Sequence, residues 1–173
     1  YQVDPLFASQ QAPNKAIGGE VMRLQQEDGQ FINALPSESF VRWFLPIRKL
    51  VSSVGAIAQY RTAELPQTIA AFRTLDYADP RFQKSGLFRD VFESQFWLLE
   101  NSGGTLDEIY EKMEVSIDAI LLSVGKNAPL YNEVSAYLLE LLERRSLTTA
   151  AEYLALTVLE QKQVVLQPRL ARQ

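Results

Sequence analysis

The stretch Ser85–Asn101, SGLFRDVFESQFWLLEN, decides the fold. Leu87, Phe88, Val91, Phe92, Gln95, Phe96, Leu98 and Leu99 recur at helical spacing and cover so much of the circumference that neighbours must touch the helix from more than one side. The spacing predicts a central helix. Arg89, Asp90, Glu93 and Ser94 leave only a narrow polar strip, and Gly103-Gly104 supplies the stop.

Upstream, the pattern stays helical but is interrupted by prolines. Tyr1 to Pro13 has two prolines and weak periodicity, which predicts an extended lead-in arm over residues 1–13. From Asn14, Ile17, Val21, Leu24, Phe31, Ile32 and Leu35 share a stripe, so a helix is expected to run to Leu35. Gly18, Gly19 and Gly29 each weaken it by about 1 kcal/mol relative to Ala, so it needs a partner surface. Phe40, Val41, Phe44, Ile47, Val51 and Val54 continue the period across Pro46, which implies two short helices or one kinked helix. Pro66 suits the first turn of a short helix carrying Ile69, Phe72 and Leu75. Asp79-Pro80 reads as a cap followed by an N1 proline.

Downstream, Thr105 to Glu108 has the form of a capping box. Leu106, Ile109, Tyr110 and Met113 follow, and Ser116 is expected to cap a second piece carrying Ile117, Ile120, Leu121 and Val124. Pro129 opens a helix whose stripe is Leu130, Val134, Tyr137, Leu138, Leu141 and Leu142. Another helix starts at Thr148 or Thr149 with Leu154, Val158 and Leu159 inward, before a connection at Gln163–Leu166 and a last turn at Pro168. Short loops between helices imply antiparallel neighbours. The expected fold is all-α, an irregular multi-helix bundle or short array of antiparallel helix hairpins, with residues 14–173 forming a single helical domain.

Composition narrows the chemistry. At 173 residues and 47% apolar, the chain is long and apolar enough for one well-buried core or two small ones. Its net charge of -4 and lack of Lys/Arg clusters argue against a nucleic-acid surface, and no apolar run approaches the roughly 20 residues needed to span a bilayer. The opening at Tyr1, without Met or a leader-like segment, suggests a processed or excised chain. There is no Cys and no His. That removes thiol and Ser-His nucleophiles, thiolate and imidazole metal sites, and any reading of redox compartment from cysteine usage. No cofactor and no metal are expected, and the chain itself is expected not to be an enzyme.

Three features resemble chemistry. Asp107, Glu108, Glu111 and Glu114 crowd one helix, but without an oxygen-ligand loop they read as a wet face, with Glu108 opposite Lys112. Ser102-Gly103-Gly104-Thr105 imitates a phosphate cradle yet lacks its Lys and preceding strand, so it reads as a helix stop. Glu140 and Arg144 form an ordinary i,i+4 pair. The aromatic set Phe92, Phe96 and Trp97 is expected in the core, with Trp97 only partly covered; Trp97, Tyr60 and Tyr77 are the candidate interaction surface.

From about Ser37 to Gln173 the sequence resembles the helical domain that precedes the thioredoxin-like domain in bacterial envelope thiol-disulfide oxidoreductases of the TlpA-like or AhpC/TSA-like group. The resemblance is carried by SFVRWFLPIRKLVSS (Ser39–Ser53), TIAAFRTLDYADPRFQKSGLF (Thr68–Phe88), FWLLEN in the central helix and LLERRSLTTAAEYLALTVL (Leu141–Leu159). It implies a non-catalytic accessory domain in the periplasm or cell envelope. A thioredoxin-like domain in cis, starting shortly after Gln173, would be its partner, positioned or assisted in recognising substrate. The Cys-X-X-Cys dithiol of that group is absent, so no redox residue carries over. The alternative is a free-standing helical protein-interaction module with a groove for a peptide or partner helix.

Overall fold

The computed structural model describes the backbone of residues 5–170 and the side chains of residues 18–161 apart from Val21 and Gln25. Among them are eight α-helices, one 3-10 turn at Thr62–Glu64 and no strand: α1 (Pro5–Ala34), α2 (Phe40–Tyr60), α3 (Leu65–Arg73), α4 (Arg81–Ser85), α5 (Leu87–Glu100), α6 (Leu106–Val124), α7 (Ala128–Arg144) and α8 (Thr148–Leu170). The all-α multi-helix reading is correct. The chain divides into two compact units, Tyr1–Pro46 and Ile47–Gln173.

In the first unit the expected extended arm gives way to helix from Pro5; residues 1–4 lie outside the described residues. The reason is local: proline suits a first helical turn, and the Ala and Gln positions that follow are good helix formers. Pro13 costs one bond, to the Ser9 carbonyl, and the helix runs on. Leu24 and Phe31, assigned to an inward stripe, are exposed. After α1 ends, Arg42 Nη1 donates to the Leu35 carbonyl at 2.8 Å, and Phe40 stacks on Phe44 with centroids 5.5 Å apart.

Pro46 does not break the next helix. It removes one bond, to the Arg42 carbonyl, and α2 continues to Tyr60, burying Ile47, Val51, Val54 and Ile57 along one face of the second unit. There α5 packs against α3, α4 and α6, while α6 also meets α3, α7 and α8, and α7 lies along α8. Leu87, Val91, Phe92, Gln95, Phe96, Leu98 and Leu99 are all buried, as the central-helix reading requires. Each such apolar side chain stabilises the fold by about 1.5–3 kcal/mol relative to exposure.

The caps set the corners. Gly86, at φ +71°, ends α4 in the left-handed region, and Asp79 accepts the Arg81 backbone N–H at 2.9 Å. Thr105 Oγ1 accepts from Glu108 N at 3.3 Å while Glu108 Oε2 accepts from Thr105 N at 2.8 Å, which is the expected capping box. Gly104, at φ +101°, is needed there: a Cβ would stand 2.4 Å from Glu108 Oε2. Asn127 Oδ1 caps α7 through Leu130 N at 3.2 Å.

Three local expectations need correction. Ser116 caps no second piece: α6 is continuous, and the buried Ser116 hydroxyl donates back to the Lys112 carbonyl at 3.0 Å. Lys112 does not pair with Glu108, whose carboxylate is committed to the capping box; its Nζ donates to Ser102 Oγ and the Gly103 carbonyl, both at 3.1 Å. The connection expected at Gln163–Leu166 and the last turn at Pro168 are backbone of a single α8. Leu154 is buried as expected, but Val158 is only half-buried and Leu159 is exposed.

Candidate functional site

The candidate surface set Trp97, Tyr60 and Tyr77 is not brought together. Tyr77 is only 2% exposed. Its ring lies between Phe82 and Phe92, centroids 5.9 and 5.2 Å away, in near-parallel stacks. Its hydroxyl oxygen is 2.9 Å from the Phe72 carbonyl and 2.8 Å from Gln95 Oε1, and its backbone N–H donates to Ser123 Oγ at 2.9 Å. A phenol has one proton to give. With the Gln95 amide turned so that Nε2 donates to the phenol, Tyr77 donates to Phe72 and the otherwise unpartnered buried Nε2 is satisfied. Burial pushes the Tyr77 phenol far up from its ordinary range. It is a core residue. The sequence signal for this was its place beside Asp79-Pro80, which turns the chain back over α5.

Tyr60 is 82% exposed at the C-terminal end of α2. Val54, which does belong to the Trp97 surface, lies six residues earlier, about 9 Å along the axis and on a different face. Tyr60 is therefore a surface aromatic on its own.

Trp97 is the member that lines a recess. It is half-buried in a helix whose neighbours Phe96, Leu98 and Leu99 are fully enclosed. With Val54, Glu93, Ser94 and Arg145 it lines a shallow recess of about 220 Å³. Its indole N–H donates to no acceptor among the described residues, although its carbonyl takes Asn101 Nδ2 at 2.8 Å. An apolar plate with an unused donor is thus presented between charged groups.

Those charged groups tie α5 to α7. Glu93 Oε1 accepts from Arg144 Nη2 at 2.9 Å and from the Tyr137 hydroxyl at 3.1 Å, while Arg144 also reaches Glu140 at 3.8 Å. Arg145 binds Glu100 Oε2 through Nε at 2.8 Å and through Nη2. Burial, and then the neighbouring Glu93 carboxylate, raise the Tyr137 phenol above its ordinary value. Arg144 and Arg145, adjacent at the end of α7, each find a separate carboxylate on α5.

A second recess lies beside α4 and α5. Gln83, Gly86, Phe88, Arg89 and Glu133 line this recess of about 430 Å³, with the Arg89 guanidinium 5.6 Å from the centre of the Tyr137 ring. Among the described residues no group of three or more acidic side chains is arranged to hold a metal ion, and no helix is long and apolar enough to cross a membrane. No protein-family model, no curated protein and no solved structure matches the chain.

Proposed function

We propose that the chain is a non-catalytic helical accessory domain that works by contact, positioning or recognising a protein partner at the surface around Trp97. The observation that carries this reading is the half-buried indole with an unused N–H, set in a shallow recess and rimmed by ion pairs. Tryptophan in such a setting supplies large apolar contact area and one directional hydrogen bond, the combination that dominates protein interfaces. The recess holds no converging acid-base pair, and Glu93 and Arg145 within it are each committed to partners on a neighbouring helix.

The resemblance of Ser37–Gln173 to thioredoxin-associated helical domains makes a thioredoxin-like domain of the bacterial envelope the first partner to test. In a Trp43→Phe background, Trp97 is the only indole, so its emission reports occupancy of the recess. Titration with such a domain is expected to shift that emission saturably, and Trp97→Ala to weaken association at least tenfold by calorimetry. No association at hundreds of micromolar removes this partner, and unaltered affinity in Trp97→Ala removes the surface. The chain alone should not speed insulin-disulfide reduction; turnover by a clean preparation would refute the non-catalytic reading.

A free-standing module that takes a peptide or partner helix is the second reading. It is favoured by the large apolar side chains left exposed outside the recess, Leu106, Val115 and Leu122 on α6 and Leu156 on α8. Partner binding that perturbs α6 and α8 amides but leaves Trp97 emission unchanged would select it.

A further inference from the structure

Along α3 the buried face steps Leu65, Ile69, Arg73, each four residues on, so a cation occupies the next position of an apolar stripe. Arg73 is held in place from α6: Nε donates to Ser116 Oγ at 2.9 Å and Nη2 to the Lys112 carbonyl at 2.7 Å. Its Nη1 donates to no acceptor among the described residues, and no carboxylate there pairs with it. Burial lowers its affinity for the proton, the signature of a guanidinium that has lost water without gaining a counter-ion.

Lys112 lines the same recess as Arg73. Its ammonium meets only the neutral oxygens of Ser102 and Gly103. Arg73, Lys112 and Ser102 line this recess of about 250 Å³ together with Leu65, Pro66 and Ile69, with no acidic residue in the lining. Two cations at a half-buried position normally have a carboxylate between them, because charges removed from water are costly unless paired.

We propose that this recess binds a carboxylate carried on a short apolar body, independently of the Trp97 surface. The two Nη atoms of Arg73 still offer a forked pair of N–H donors to two oxygens, and Lys112 supplies the third contact. Leu65, Pro66 and Ile69 take the apolar portion and disfavour a strongly hydrated phosphate. A free small acid and the C-terminal residue of a peptide share this chemistry.

The test uses N-acetyl-leucine as the probe, followed by amide NMR of the full chain. Saturable shifts at residues 102–103 and 112 are expected, and N-acetyl-leucinamide, which lacks the charge, should bind at least tenfold more weakly. Arg73→Gln should lower affinity for N-acetyl-leucine at least tenfold. Because that change also removes two struts to α6, Ser102→Asp serves as the second variant: it places a carboxylate inside the recess, and should abolish probe binding while leaving the melting temperature unchanged or higher. A peptide ending in Leu with a free carboxylate that binds at least tenfold tighter than the probe identifies a chain terminus; equal affinity identifies a free acid. Equal shifts from acid and amide, no shift at 50 mM acid, or undiminished binding in folded Ser102→Asp would each overturn the site.

Discussion

Two aromatic residues associated with the same helix met opposite fates, and the contrast shows what fixes a core here. Around Tyr77 the rings of Phe82 and Phe92 stack on both faces, and Gln95 and the Phe72 carbonyl close round the hydroxyl, so that every side of the phenol has a partner. Trp97 is half-buried, and its N–H donates to no acceptor among the described residues. Both were read as candidates for the same surface. What separates them is not aromatic character but enclosure: Tyr77 belongs to the 74–86 connection, whose α4 packs on α5, whereas Trp97 lines an open recess with Val54 and Arg145.

The contrast is broken most severely from the buried side. Phe92→Ala removes a fully enclosed ring in contact with Tyr77, Phe88 at 4.8 Å and Tyr137 at 5.9 Å, and is expected to cost about 3–5 kcal/mol in chemical denaturation. For a chain of this size that lowers the melting temperature by about 10 °C. Retention of most of the wild-type stability would show that the hub is less closed than its geometry.

Tyr77→Phe keeps the stack and deletes only the hydroxyl, leaving Gln95 without a partner in a dry site while the Phe72 carbonyl keeps the Leu75 N–H, at a cost of about 1–3 kcal/mol. It also changes the alkaline limb. The folded phenol binds its proton more tightly than the unfolded one, so its stabilising contribution is full below about pH 10 and falls as pH rises towards the folded value, by about 1.4 kcal/mol per pH unit. Urea midpoints measured from pH 9 to 11.5 should therefore decline less steeply in Tyr77→Phe than in wild type. Parallel curves would mean that Tyr77 already ionises in the folded state.

What the residue pattern revealed, and what it left hidden, follows the same division. Helix α5, the capping box at Thr105, the Pro129 start and the α7 stripe were legible because the local signals agreed at each of them, whereas the Asn127 cap was not read. Pro13 misled, and of the two options at Pro46 the single helix holds: each proline removes one bond, a cost that a long helix absorbs. Ser116 looked like a cap because serine favours that role, but its hydroxyl turned back to its own helix and across to Arg73, partners that only tertiary packing supplies. The Trp97 recess was half legible. A bulky residue at the edge of an apolar stripe could be picked out, whereas its rim of Glu93, Glu100, Arg144 and Arg145 depends on how α7 lies on α5.

From the open side, Trp97→Ala should cost less than half of what Phe92→Ala costs, because truncation at a half-covered position gives back to water only part of the apolar area and lets solvent fill the space. A loss as large as that of Phe92→Ala would place Trp97 in the core and leave the proposed surface without its anchor.

The smallest expected effect sharpens the comparison through the rim. Glu93→Gln leaves Arg144 with Glu140 at 3.8 Å and removes one half-exposed ion pair, so stability should move by no more than about 0.5 kcal/mol. The readout lies in Tyr137. Its phenol is held above the ordinary value first by burial and then by the Glu93 charge, so neutralising Glu93 should bring its ionisation midpoint down while burial keeps it above that of a free tyrosine. The stability that Tyr137 contributes is present below about pH 10 and lost as pH rises through its folded value, so in Glu93→Gln that loss should finish at lower pH. Ring NMR shifts of Tyr137 followed across pH 9 to 12 measure this directly. An unmoved midpoint would mean that Glu93 does not face Tyr137 in solution, and the rim that frames Trp97 would then be open on that side.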